Sequence, residues 1–196
     1  MTKLYYPYNE LDEQITKQMS KAFSTVGINT NHPDYEITPY RYAYYLKYLM
    51  GGEEFHLTTF PNENPVIDAM IAVTDIPFWS ACSHHTLPFF GKVSVAYIPD
   101  KLLVGLSKIP LLVRSMARGF WLQEHLTEAI ADKMVEALDP LGVGVYVEAQ
   151  HTCQLLDLQQ PPIPLMKLSV LRGCFRPSDS NYSSNAREEF LALIAE

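Results

Sequence analysis

A cysteine and two adjacent histidines, Cys82-Ser83-His84-His85, are answered much later in the chain by His151-Thr152-Cys153. Two thiolates and one imidazole bind zinc tetrahedrally, and a fourth coordination position left open makes such a site catalytic rather than structural. Two histidines then remain beside the metal as proton carriers, because imidazole titrates nearest neutral pH. A Cys-x-x-His beside another histidine is, by itself, as often a loop with buried polar groups. The second pair, His151 and Cys153, makes metal binding the favoured reading.

The elements that must bring these residues together can be sketched from periodicity. Residues 8 to 26 carry Leu11, Ile15, Met19, Ala22, Phe23 and Val26 at helical spacing. Thr38-Pro39 opens a second helix, the threonine as cap and the proline in the first turn, and Gly51-Gly52 ends it. The polar stretch 53–65 reads as a loop. Val66, Ile67, Met70, Ile71 and Val73 then form a strand candidate ending near Pro77 to Ser80, and Gly91 to Pro99 alternates as a second strand. Cys82 to His85 lies in their connection, where loops carry chemistry.

Between Ser107 and Leu138 the period is helical, with a ladder of Leu122, Leu126, Ile130, Met134 and Leu138 widened by Ala129 and Val135. Glu124 points away from that stripe, and an isolated glutamate is ordinarily a solvated one. Gly142 to Leu156 reads as one long strand whose odd positions, Val143 through His151 to Cys153, share a face. That face would carry both residues to one small site. After the proline-rich stretch Pro161 to Pro164 come a strand at 165–175 and a C-terminal helix at 185–195. Cys174 reads as a small hydrophobe in that strand, and Trp79 and Trp121 as core or subunit-contact residues. His32, His56 and His125 have no evident chemical partners.

Composition narrows the function. The chain has 196 residues, 47% hydrophobic and 19% charged, with a formal net charge of -7. Such acidity without a polybasic run argues against nucleic acid or an anionic membrane as partner. No apolar run approaches a membrane span and no secretion signal precedes residue 8, so a cytoplasmic, reducing setting is expected for the three cysteines. The expected organisation is an N-terminal helical extension and loop over 1–64 and a catalytic domain over 65–196.

The segment Cys82-Ser83-His84-His85-Thr86-Leu87-Pro88-Phe89-Phe90-Gly91-Lys92, followed by Tyr97-Ile98-Pro99, resembles the zinc loop of GTP cyclohydrolase I. Gly105-Leu106-Ser107-Lys108, Gln123-Glu124-His125-Leu126-Thr127 and His151-Thr152-Cys153 repeat that family's later motifs in order. Thr38-Pro39-Tyr40-Arg41, Leu171-Arg172-Gly173-Cys174-Phe175 and Arg187-Glu188-Glu189-Phe190-Leu191 extend the resemblance over roughly residues 10 to 194. It implies an α+β T-fold, an antiparallel sheet with two helices on one side, assembled into a homo-oligomeric ring, commonly a decamer. It also implies hydrolytic opening of the guanine imidazole ring at C8, with formate release and a dihydroneopterin product, the entry to pterin and tetrahydrofolate biosynthesis. By the same resemblance Cys82, His85 and Cys153 hold Zn2+, and His84 and His151 move protons. Glu124, with Gln123, takes the guanine edge, and Ser107, Lys108 and Arg41 take the phosphates.

Several positions depart from the family's pattern. Leu111, Asp157 and Tyr44 stand where basic residues are usual, and Ser83 replaces a glutamate. A carboxylate in a phosphate pocket is repulsive. The expectation is therefore a cyclohydrolase whose guanine nucleotide or related purine carries fewer phosphates than GTP. The alternative is a non-catalytic, ring-forming regulatory protein that binds a purine or pterin. Intact Cys82, His84, His85, Glu124, His151 and Cys153 favour the enzyme, since ligand binding alone needs neither metal nor proton carriers.

Overall fold

Threonine and proline at 38 and 39 open a helix where the sequence places one, and the computed structural model describes residues 10–50, 55–63, 66–158, 162–176 and 185–195. The chain divides into two units, Met1–Gly51 and Gly52–Glu196. In the first, α1 (Glu10–Thr25) packs on α2 (Thr38–Met50). Phe23 meets Tyr42 edge-on at 5.8 Å, and buried Asp12 takes both carboxylate oxygens to Lys47 Nζ at 3.0 and 2.9 Å. Val26 lies beyond α1 and is exposed rather than on its apolar face. The expected helix stop at Gly51-Gly52, Pro161 and the side chain of Leu11 lie outside the described residues.

The second unit is built from β1 (Thr59–Pro61), β2 (Ile71–Cys82), β3 (Pro88–Ile98), β4 (Leu102–Val104), α3 (Lys108–Ala117), β5 (Phe120–Trp121), α4 (Gln123–Leu138), β6 (Gly142–His151), α5 (Gln154–Leu158), β7 (Leu165–Gly173) and α6 (Asn185–Leu193). β1 pairs with β4, so the stretch from residue 55 goes with this unit, and the expected boundary at 64 falls at 51 instead. The main sheet has the order β5-β2-β3-β6-β7. Its long pairings are antiparallel, but β5 joins β2 in parallel, so the sheet is mixed and not purely antiparallel.

Alternation puts one face of the sheet against α3 and α4. Val143, Val145, Val147 and Ala149 of β6 and Val93, Val95 and Tyr97 of β3 are fully or almost fully buried there. Leu126, Ile130, Met134 and Leu138 of α4 cover them, each burial contributing roughly 1.5–3 kcal/mol. Thr127 and Ala131 widen that stripe, whereas Val135 is 36% exposed. On the opposite face α6 sets Phe190 edge-on to Phe175 at 5.7 Å, over a smaller cluster that includes buried Cys174.

Three local expectations change. The first strand begins at Ile71 and runs through Pro77 to Cys82, leaving Val66 and Ile67 outside it. Proline is tolerated because no strand lies outside β2 along that stretch among the described residues. A bulge at Asp75, whose φ is 56°, shifts the register between Val73 and Ile76. The helical stretch 107–138 is two helices, broken where Gly119 takes φ 151° and the chain turns into β5. Finally, β6 stops at His151 and α5 follows, so residues 152–156 are not strand.

Candidate metal centre and active site

β2 ends where it does because β5 grips it. Ala81 pairs with Phe120 and Cys82 with Trp121, and the Ser83 N–H donates to the Trp121 carbonyl at 3.1 Å. The connection to β3 then closes tightly. The Cys82 N–H donates to Leu87 O and the Thr86 N–H to Cys82 O, both at 2.8 Å, with Thr86 in the left-handed region at φ 57°. Cys82 is buried at the foot of this loop, while Ser83, His84, His85 and Thr86 are exposed along it.

β6 reaches the same place from the other side. Its last residue, His151, pairs with Phe89, the second residue of β3. The strand cannot continue against Pro88, which has no N–H to give. Instead Thr152 turns, its N–H and its hydroxyl both donating to the Pro88 carbonyl, at 3.2 and 2.6 Å. Cys153 therefore sits in the turn before α5, not on the strand face with His151. Both halves of the site hang on the start of β3.

The ligating atoms of Cys82, His85 and Cys153 all lie within 4.8 Å of one another, with Cys82 Sγ 3.9 Å from His85 Nδ1. Tetrahedral zinc with arms of roughly 2.0–2.3 Å places its donors roughly 3.5–3.8 Å apart, so small side-chain shifts close this set on an ion. The thiols carry the same message. Burial, and then the neighbouring Cys82 sulfur, push the Cys153 thiol up. Two thiolates this close repel, and a dication between them reverses that balance. The cluster fits a zinc site.

His151 stands beside it, 9% exposed. Its ring lies flat on Phe89, centroids 4.4 Å apart and planes within 4°, and its Nε2 is 2.9 Å from Gln123 Oε1. Burial lowers its pKa, and the nearby Glu124 carboxylate pulls the other way. Glu124 is exposed in the first turn of α4, where the helix dipole favours a carboxylate. His84 sits edge-on to His85, centroids 6.2 Å apart. The structure thus gathers Cys82, His84, His85, Glu124, His151 and Cys153 into one region.

Gln123 behaves differently from the expectation that it accompanies Glu124 on a substrate. It is 1% exposed, and its amide is bonded inward. Ser107 and Lys108 occupy the N-terminal end of α3, with no hydrogen bond from either side chain to another described residue. Arg41 is exposed on α2 in the first unit. Asp157 lies in α5, its side chain outside the described residues. Sequence reading missed Phe89 and Thr152. Only the β3–β6 register reveals them, and no local pattern encodes it.

Comparison with known proteins agrees with the geometry. A sequence model described as GTP cyclohydrolase I matches residues 15–195. The GTP cyclohydrolase 1 of Campylobacter lari is 37% identical over 190 residues, 94% of this chain and 96% of that protein. Its counterpart from Campylobacter jejuni subsp. jejuni is 41% identical over 175 residues, covering 86% and 88%. That of Aquifex aeolicus is 39% identical over 185 residues, covering 94% and 97%. With a zinc-competent Cys–His–Cys cluster at the point where those motifs converge, the chain belongs to the GTP cyclohydrolase I family of hydrolases.

Proposed function

We propose that this chain is a zinc-dependent cyclohydrolase that opens the imidazole ring of a guanine compound at C8, releases formate and gives a dihydroneopterin-type product. The observation that carries the reading is the convergence of Cys82, His85 and Cys153 beside a buried, oriented His151. When bound, zinc supplies a Lewis acid that makes water nucleophilic at neutral pH. His151 moves protons at the opening ring, and the exposed His84 exchanges them with solvent. Glu124 accepts two N–H bonds from the guanine edge, and adenine, which cannot offer that pair, is rejected.

The phosphate end sets this chain apart. Leu111, 44% exposed, is an apolar side chain one turn beyond Lys108, while Tyr44 and Asp157 are neutral and acidic. Lys108 and Ser107 at the start of α3 remain for phosphate, and the substrate that suits them carries fewer phosphates than GTP. Formate release by the zinc-loaded protein from GTP, GMP and guanosine tests both parts. Rapid turnover of GTP at micromolar KM refutes the fewer-phosphate part alone. No formate from any of the three, with zinc bound, refutes the cyclohydrolase and leaves the non-catalytic binding ring.

Assembly into a ring of copies fits the sheet. Among the described residues, no strand pairs with the outer edge of β7, and none lies outside β2 over residues 71–80. Trp79 and Leu165 are 39% and 48% exposed along those edges. Edges of this length demand cover, and a second copy offers the matching one. A monomeric mass by light scattering at micromolar concentration would contradict this. A reducing compartment such as the cytoplasm suits three cysteines that form no disulfide among the described residues.

A further inference from the structure

Gln123 begins α4, yet its side chain serves the sheet. Nε2 donates to the Val147 carbonyl on β6 and to the Met166 carbonyl on β7, each at 3.2 Å. Oε1 lies 2.9 Å from His151 Nε2. The two ends of an amide are hard to tell apart by shape alone, but here chemistry decides. Backbone carbonyls only accept. Turned over, the amide would set its oxygen against two carbonyl oxygens at a buried site, and neither contact could hold a proton. The amide oxygen therefore faces His151, and an oxygen there only accepts as well. The donor has to be the imidazole.

We infer that Gln123 is a positioning residue that keeps a proton on His151 Nε2, so that Nδ1 is the nitrogen through which this ring exchanges protons. Phe89 completes the arrangement, its ring stacked on the imidazole at 4.4 Å so that the plane cannot tilt. Nδ1 has no hydrogen-bond partner among the described residues. A side chain that turns one ring nitrogen into a fixed donor leaves the other as the exchanging one. The role in turnover rests on His151 being the proton carrier proposed above, while the identity of the protonated nitrogen does not.

The experiment uses the zinc-loaded full chain labelled with 15N-histidine at pH 8. Long-range 1H–15N correlation spectra give the type of each ring nitrogen, with His151 identified by the signal lost in His151→Asn. The wild type is expected to show a protonated Nε2 and an unprotonated Nδ1. Gln123→Met removes the acceptor, mixes the two forms and lowers kcat for formate release at least tenfold, with KM within twofold. Gln123→Glu, as a neutral buried acid, still accepts from Nε2 and donates to one carbonyl, and restores the pattern and part of kcat. An unprotonated Nε2 in the wild type, or a Gln123→Met spectrum identical to it, overturns the inference. If Gln123→Met does not fold, the wild-type and Gln123→Glu spectra decide. A wild type with the expected spectrum that releases no formate refutes the cyclohydrolase and leaves the positioning intact.

Discussion

Thr152→Val removes one hydrogen bond and almost no volume, which makes it a sharp probe of how the metal site is held. The lost bond is the 2.6 Å contact from Thr152 Oγ1 to the Pro88 carbonyl. That carbonyl keeps the Thr152 N–H at 3.2 Å, so no buried acceptor is orphaned. The net contribution of such a bond is then about 1 kcal/mol. It is one of two tethers that fasten the turn bearing Cys153 to β3. Freed in the metal-free protein, the turn has to be re-ordered by the ion, and about 1 kcal/mol passes from the fold to the metal. At about 1.4 kcal/mol per tenfold, zinc Kd rises about fivefold. Competition with a chromogenic chelator at fixed pH measures this, and Thr152→Ser, which keeps the hydroxyl, should restore the wild-type value. A Thr152→Val protein with unchanged zinc affinity would refute the idea that this tether pre-places Cys153.

Further outcomes follow from the same geometry. Cys153→Ser reduces the donor set to two strong ligands, so zinc falls from about one per chain towards none after dialysis, measured by elemental analysis, and formate release falls with it. In the metal-free protein, burial holds the His151 pKa below its ordinary 6.5. The unfolded chain then binds the extra proton first, so stability is full above pH 6.5 and declines as pH drops from there towards the folded value. His151→Asn should flatten that slope in urea titrations below pH 6.5. Gly91→Ala puts a β-carbon onto the Glu148 carbonyl of the paired strand, and about 3 kcal/mol or more of destabilisation, read as a lowered urea midpoint, is expected.

Much of this was legible because it is local. A threonine followed by proline starts α2, and alternation along β6 puts Val143 to His151 on the buried face. Cysteine and histidine types also name their own chemistry. What stayed hidden was non-local or two-faced. Nothing near Phe89 announces that it will stack on His151, because that depends on pairing between strands far apart in sequence. The run 151–153 keeps the apolar alternation of a strand, yet Pro88 on the neighbouring strand ends the ladder. Gln123 is expected, by resemblance, to join Glu124 on the guanine edge. Only the closeness of two carbonyls from β6 and β7 makes burying it favourable.

That amide has a consequence for misfolding. β7 reaches it through a single carbonyl, Met166 O, and a slip of one residue in the pairing of β6 with β7 would withdraw that acceptor and loosen the imidazole at the same moment. The alignment of the last strand and the orientation of the imidazole are thereby tied through one buried side chain.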